Sequence, residues 1–122
     1  MKDIGLLILR VGMSLAMLIG HGYSKLLNVI KGNFEFVDPI GIGQAPTLIL
    51  ATLSEFVCAI LIIIGFKTRL ASIPMVITMF VAAFVYHLND PFEGSKEMSI
   101  LYLIGFTAIA LTGAGKYSLD KN

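Results

Sequence analysis

The chain has 122 residues, 57% of them hydrophobic and 14% charged, with a formal net charge of +1. An ordinary soluble domain carries roughly a quarter charged residues, so the composition excludes that class, and the absence of a basic stripe excludes a dedicated nucleic-acid binder. A single-domain integral membrane protein remains, because several spans use up a chain of this length.

The first apolar segment, 4–23, follows the charged start Met1-Lys2-Asp3 and is interrupted by Arg10. No small-x-small cleavage site follows it, so it reads as a retained span and not as a signal peptide. Arg10 and His21 are 11 residues apart, which places them within roughly 20° of one helix face and about 16 Å apart along the axis. Ser14 and Met17 fill the stripe between them.

Segment 24–45 contains FEFVDPIGIGQA. Its Asp-Pro and Gly-x-Gly punctuation predicts an irregular loop at the membrane interface, with the alternating FEFV as a candidate short strand. The second apolar segment, 46–66, includes PTLILATLSEFVCAILIIIG. Twenty residues of helix rise about 30 Å, the thickness of a bilayer core, and Glu55 falls near the middle. An acid at that depth costs on the order of 3 kcal/mol or more, which makes it a functional candidate in need of a partner. Pro46 suits the first turn of this helix, where its missing N–H costs nothing.

Only Lys67, Thr68 and Arg69 separate this span from the third, 70–88, so the two must form an antiparallel hairpin. Pro74 is expected in or just after the first turn of the third span, with at most a slight bend. Tyr86 and His87 stand at its far end. The fourth span, 96–112, is closed by Gly113-Ala114-Gly115. A span in lipid must satisfy its backbone internally, so all four are helices and the fold class is an all-α four-helix transmembrane bundle.

With the N-terminus in the cytoplasm, the inner positive charges are Lys2, Lys67, Arg69, Lys116 and Lys121, against Lys25, Lys31 and Lys96 outside. Five against three favours cytoplasmic N- and C-termini. In that frame Glu55 lies roughly 12 Å below the outer boundary, His21 about 5 Å below it and Arg10 about 9 Å from the inner one. His87 comes out level with His21. Side chains lean toward a helix's N-terminus, so His21 and Glu55 lean together while Arg10 and Glu55 lean apart. One polar cluster is therefore expected in the outer half, built from His21, Glu55 and His87 with Tyr86 and Lys25. Arg10 would reach it only through its long side chain or water.

Each residue also has a plainer reading. Arg10 can snorkel to the headgroups, and the histidines can serve as interfacial anchors. Cys58, the methionines and the phenylalanines read as packing. Glu55 can be a structural ion pair tying helices together, or, in a dry site, a group that holds and exchanges a proton.

LLILRVGMSLAMLIGHGYSKL, SEFVCAILIIIGFKTRLAS and LTGAGKYSLD together resemble the DoxX family of small four-helix bacterial membrane proteins. The resemblance rests on Leu9-Arg10, His21-Gly22, Lys25-Leu26, Glu55 ten residues ahead of Gly65, Thr68-Arg69, Gly113-x-Gly115 and Ser118-x-Asp120. It implies a multi-pass protein of the bacterial inner membrane associated with membrane redox chemistry, in which some relatives partner oxidoreductases and others serve quinone-linked sulfur oxidation. The chain departs from the family's usual pattern after the acid, with Cys58-Ala59 where relatives often carry Gly-Gly. Close helix approach is less expected there, although alanine is still small.

Three functions follow. In the first, the protein is a quinone- or quinol-interacting subunit of an oxidoreductase, with Glu55 and His21 as catalytic base and shuttle. One cysteine excludes Fe–S ligation and any CxxC or zinc pattern, so no metal is expected and electrons come from an oxidoreductase partner or a haem. A haem held by His21 and His87 is the lesser alternative. In the second, the protein is a non-catalytic membrane anchor or scaffold, or an apolar-ligand-binding bundle whose Glu55 orients the ligand's polar end. The third is a proton or ion pathway, for which four spans require a homo-oligomer.

Overall fold

The computed structural model describes residues 1–120 and is all-helical, with no strand among them; Lys121, one of the inner charges counted above, lies outside the described residues. The described residues form four helices: α1 Lys2–Ile30, α2 Gln44–Ile64, α3 Thr68–Tyr86 and α4 Ser95–Thr112. The first three are long and apolar enough to cross a membrane. The fourth carries Lys96 and Glu97 in its first turn and packs along α3 in the most extensive seam of the bundle.

The helices run up, down, up and down. Arg10 meets Gly65 and Gly22 meets Glu55 where α1 crosses α2, and Arg69 meets Gly113 where α3 passes α4. Met13 meets Gly105 and His21 meets Met98 where α1 passes α4, which closes the ring. Each helix turns one stripe inward. On α1 it is Arg10, Ser14, Met17 and Gly22, and on α3 Thr68, Ala71, Ser72, Met75, Met79 and Ala83. The core gathers Met17, Ala59, Ile62, Met75, Phe106 and Ile109, while Ile8, Ile19, Leu70 and Leu111 face outward as a lipid-covered surface requires. The seams are rich in Ala, Ser and Gly, since helices in lipid associate by close packing and not by a hydrophobic driving force.

Two sequence expectations change. The first helix does not stop at Tyr23 but continues to Ile30, so His21 is nine residues, about 14 Å of rise, short of its end. The irregular loop is correspondingly shorter, 31–43, and FEFV forms no strand. α3 begins at Thr68, two residues before Leu70, which leaves Pro74 just after its first turn as expected, and the helix continues through it.

The ends of the bundle that carry the two termini lie together. The 113–120 segment folds over the α2–α3 hairpin, where Leu119 N–H donates to Ile64 and Asp120 N–H to Gly65. The Asp120 carboxylate then accepts from the amides of Lys67 at 2.6 Å and Thr68 at 2.9 Å, satisfying orphan donors at the N-terminus of α3. Gly65 ends α2 in a left-handed conformation (φ 72), and a β-carbon there would collide with Arg10 Nη1 and the Ser118 side chain. Lys116 N–H reaches Asp3 Oδ1 at 3.2 Å, which ties the C-terminal segment back to the start of the chain.

Candidate functional site

At the end of the bundle away from the termini, a cavity of about 420 Å³ opens between the four helices and the 31–43 loop. Its wall includes Glu55, His21, Lys25, Tyr86 and His87, together with Tyr102 and the loop residues Phe36 and Ile42. Apart from these polar groups the wall is largely apolar, with Met17, Leu50, Ile77 and Val81.

The first structural cause is Gly22. A β-carbon there would strike the Glu55 carbonyl, so only glycine lets α1 and α2 cross with their backbones in contact at this level. Lys25 follows one turn later on the same helix, and its Nζ meets Glu55 Oε1 at 2.8 Å. Both are withdrawn from the surroundings, the Glu55 side chain 5% exposed and that of Lys25 17%. The ammonium also lies 5.9 Å from the Phe36 ring centroid, so the loop contributes a cation–π contact to the same pair. Asp38 holds that loop down by accepting from the amides of Ile42 and Gly43 and from the Thr47 hydroxyl.

The second cause is a run of π-helical turns. Three of the four helices carry one: Leu18–Gly22 in α1, Leu53–Cys58 in α2 and Ala82–Tyr86 in α3. His21 and Glu55 lie within the first two, and the third ends on Tyr86, next to His87. Such turns widen a helix and recur at functional sites. All three face one cavity.

The partner of Glu55 is thus Lys25 and neither histidine. His21 Nε2 stands 3.1 Å from Met98 Sδ, with its ring edge-on to Tyr102 at 5.7 Å between centroids. His87 Nδ1 pairs with Asp90 Oδ2 at 2.6 Å and its ring packs on Tyr86. The physical reason is the longer first helix: Lys25 is not a loop residue but a helical one, aimed across the crossing at the acid. His21 and His87 share the cavity with Glu55 without bonding to it.

Arg10 belongs elsewhere. It is 2% exposed at the termini end, where Nη2 donates to the Tyr117 carbonyl at 2.6 Å, so it neither snorkels to the headgroups nor joins the cavity. Asp120 is the acid that acts on it electrostatically. Burial pushes the Asp120 carboxyl up, but hydrogen bonds from Thr68 and Lys67 and the Arg10 charge outweigh it and hold the group below its usual range. Arg10, Gly65, Thr68-Arg69, Gly113-x-Gly115 and Ser118-x-Asp120, scattered along the sequence, are one assembly in space.

Phe36 and Met98 read from the sequence as loop and packing residues, and nothing in the spacing of Tyr102 marks it, yet all three line the cavity. Gly22 had a signal: a glycine immediately after a membrane histidine, one turn before a lysine. Around Cys58-Ala59, where close helix approach is less expected from the sequence, Ala59 is nevertheless fully buried, while Cys58 is only partly so. Among the described residues, no group of three or more His, Cys, Asp or Glu side chains gathers as a metal cluster.

The sequence model of the DoxX family matches residues 5–88, which includes the three apolar spans. A protein of Escherichia coli named inner membrane protein YqjF is 28% identical over 99% of this chain and 93% of its own length. An uncharacterized protein of Haemophilus influenzae is 30% identical over 86% of this chain and 81% of its own length. No solved structure matches the chain.

Proposed function

The chain belongs to the DoxX family of integral membrane proteins, and on that footing we propose that it binds a quinone or quinol in the 31–43 loop-covered cavity, as a subunit or partner of a membrane oxidoreductase. The observation that carries this reading is the cavity itself: about 420 Å³, largely apolar, with one ion pair, Lys25–Glu55, at its wall. Sites for small ligands have this composition and size, an apolar slot with a few convergent polar groups. Quinone reduction takes up two electrons and two protons, and Lys25, Glu55 and His21 present a donor, an acceptor and an exchangeable ring at one place. The chain offers no Fe–S ligands, having one cysteine, so the electrons come from the partner.

The name of the Escherichia coli relative supports an inner-membrane location. The loop charges support cytoplasmic termini, with the cavity then in the outer half of the membrane.

Binding of a short-chain quinone to the purified protein in detergent tests the reading. The chain has four tyrosines and no tryptophan, so quenching of tyrosine fluorescence reports directly. Saturable binding is expected, weakened tenfold or more in Glu55→Gln and in Ala82→Phe, which fills the cavity wall. Binding equal in all three proteins overturns it. Quinol oxidation in membranes separates a redox subunit from a carrier or scaffold: rates unchanged by Glu55→Gln while the quinone still binds leave only the non-catalytic role.

A further inference from the structure

His21 on α1 and Met98 on α4 meet at the cavity wall, and their donor atoms are 3.1 Å apart. Two donors on one first-row metal ion, at about 2.0 Å from nitrogen and about 2.3 Å from sulfur, stand roughly 3 to 4 Å from each other. The pair has the spacing of adjacent ligands. We propose that His21 Nε2 and Met98 Sδ form the core of a binding site for a soft monovalent cation, Cu(I) or its analogue Ag(I), in the cavity wall.

Ligand chemistry selects this ion. Thioether and neutral imidazole favour Cu(I), whereas zinc and harder ions need thiolate, several imidazoles or carboxylates, and no cluster of those groups exists among the described residues. A monovalent ion also loses less hydration energy on entering a low-dielectric site than a divalent one, because that cost grows with the square of the charge. Further thioethers are at hand: Met17, one turn before His21 on α1, and Met79 on α3 both line the same cavity. The charged neighbours, Lys25 and Glu55, form a neutral pair, so they neither repel nor trap the ion strongly.

The supporting geometry is built in. Tyr102 holds the His21 ring edge-on and is itself stacked on the buried Phe106 at 6.1 Å. Methionine, unbranched and adaptable, can close on an ion with small rotations, and Met98 is 43% exposed, which gives the site an entry. In the sequence alone the methionines read as packing, and one cysteine offers no thiolate or zinc pattern. Thioether donors become visible only when the fold brings them to an imidazole.

Competition with a chromogenic Cu(I) chelator under oxygen-free, reducing conditions tests the site on the purified full chain. The protein is expected to withdraw one equivalent of Cu(I). Met98→Leu, which conserves volume and so keeps the fold, is expected to weaken binding tenfold or more, and His21→Gln likewise. Cys58→Ala controls for the thiol and is expected to bind as the parent does. No withdrawal of Cu(I), undiminished binding by Met98→Leu, or loss of binding in Cys58→Ala each overturns the proposal. The readout contains no quinone, so its outcome is separate from that of the quinone reading.

Discussion

Lys25 Nζ and Glu55 Oε1, thirty residues apart in sequence, stand 2.8 Å from each other across the α1–α2 crossing, and both side chains are largely buried. An ion pair in this position has an asymmetric energetics: both charges already bear the desolvation cost, so the loss of one leaves the other uncompensated.

The first prediction follows from that asymmetry. Lys25→Met and Glu55→Leu are each expected to destabilise the bundle by about 3–5 kcal/mol, and the double variant to recover much of the loss. Unfolding in a mixed-detergent titration measures all three. If the losses instead add in the double variant, the two charges do not support one another.

The second prediction concerns the crossing itself. Gly22→Ala places a methyl group against the Glu55 carbonyl, and backbone cannot step aside as a flexible side chain would. The expected cost is about 1–3 kcal/mol, the range for overpacking, with a parallel loss of quinone binding because the cavity wall shifts. Gly20→Ala, two residues away in open space, is the control and is expected to leave binding unchanged.

The architecture was legible in the sequence because membrane spans announce themselves by length and hydropathy, and the hairpin by a three-residue connection. The inward stripe of α1 was legible too, since Arg10, Ser14 and Met17 follow helical spacing. The end of α1 was not. After Tyr23 the sequence SKLLNVI turns amphipathic and polar enough to pass for a loop, and the helix continues only because its apolar side packs beside the start of α2. That single misplaced boundary left Lys25 at the margin of the expected cluster, where the structure makes it the direct partner of Glu55. The π-helical turns were illegible for a different reason: a one-residue excess in a helix leaves no mark on an almost unbroken apolar pattern. The role of Arg10 needed the C-terminal segment, whose contacts span more than a hundred residues and follow from no local rule.

The third prediction rests on Lys67, the one non-glycine with a left-handed backbone among the described residues (φ 49). That conformation costs an L-residue about 1–2 kcal/mol. Glycine would remove the strain but would add about 0.4–1 kcal/mol of unfolded-chain entropy, and would lose the contact of Lys67 Nζ with the Phe66 ring. The opposing effects nearly cancel, so Lys67→Gly is expected to lie within about 0.5 kcal/mol of the parent. A β-branched residue tolerates this backbone worst, and Lys67→Val is expected to lose more than about 1 kcal/mol. Thermal unfolding of the two variants side by side measures the difference.

The fourth prediction is a pH dependence carried by Asp120. Its carboxyl is held below the ordinary range in the folded protein, because hydrogen bonds from Thr68 and Lys67 and the Arg10 charge outweigh burial. The unfolded chain therefore binds the proton more readily than the folded one, and stability rises with pH across the interval between the two values. The contribution of Asp120 is fully present above the ordinary carboxylate value of about 3.9 and is lost as pH falls through the lower folded value. Asp120→Asn is expected to flatten this part of the acid-unfolding profile while leaving its neutral limb parallel to the parent's. Asp120→Ala, which also strips the amides of Lys67 and Thr68 of their acceptor, is expected to lower stability at every pH, most visibly as faster proteolysis at the α2–α3 turn. An unchanged acid limb in Asp120→Asn would mean that the proton responsible binds elsewhere and that Asp120 serves the turn by hydrogen bonding alone.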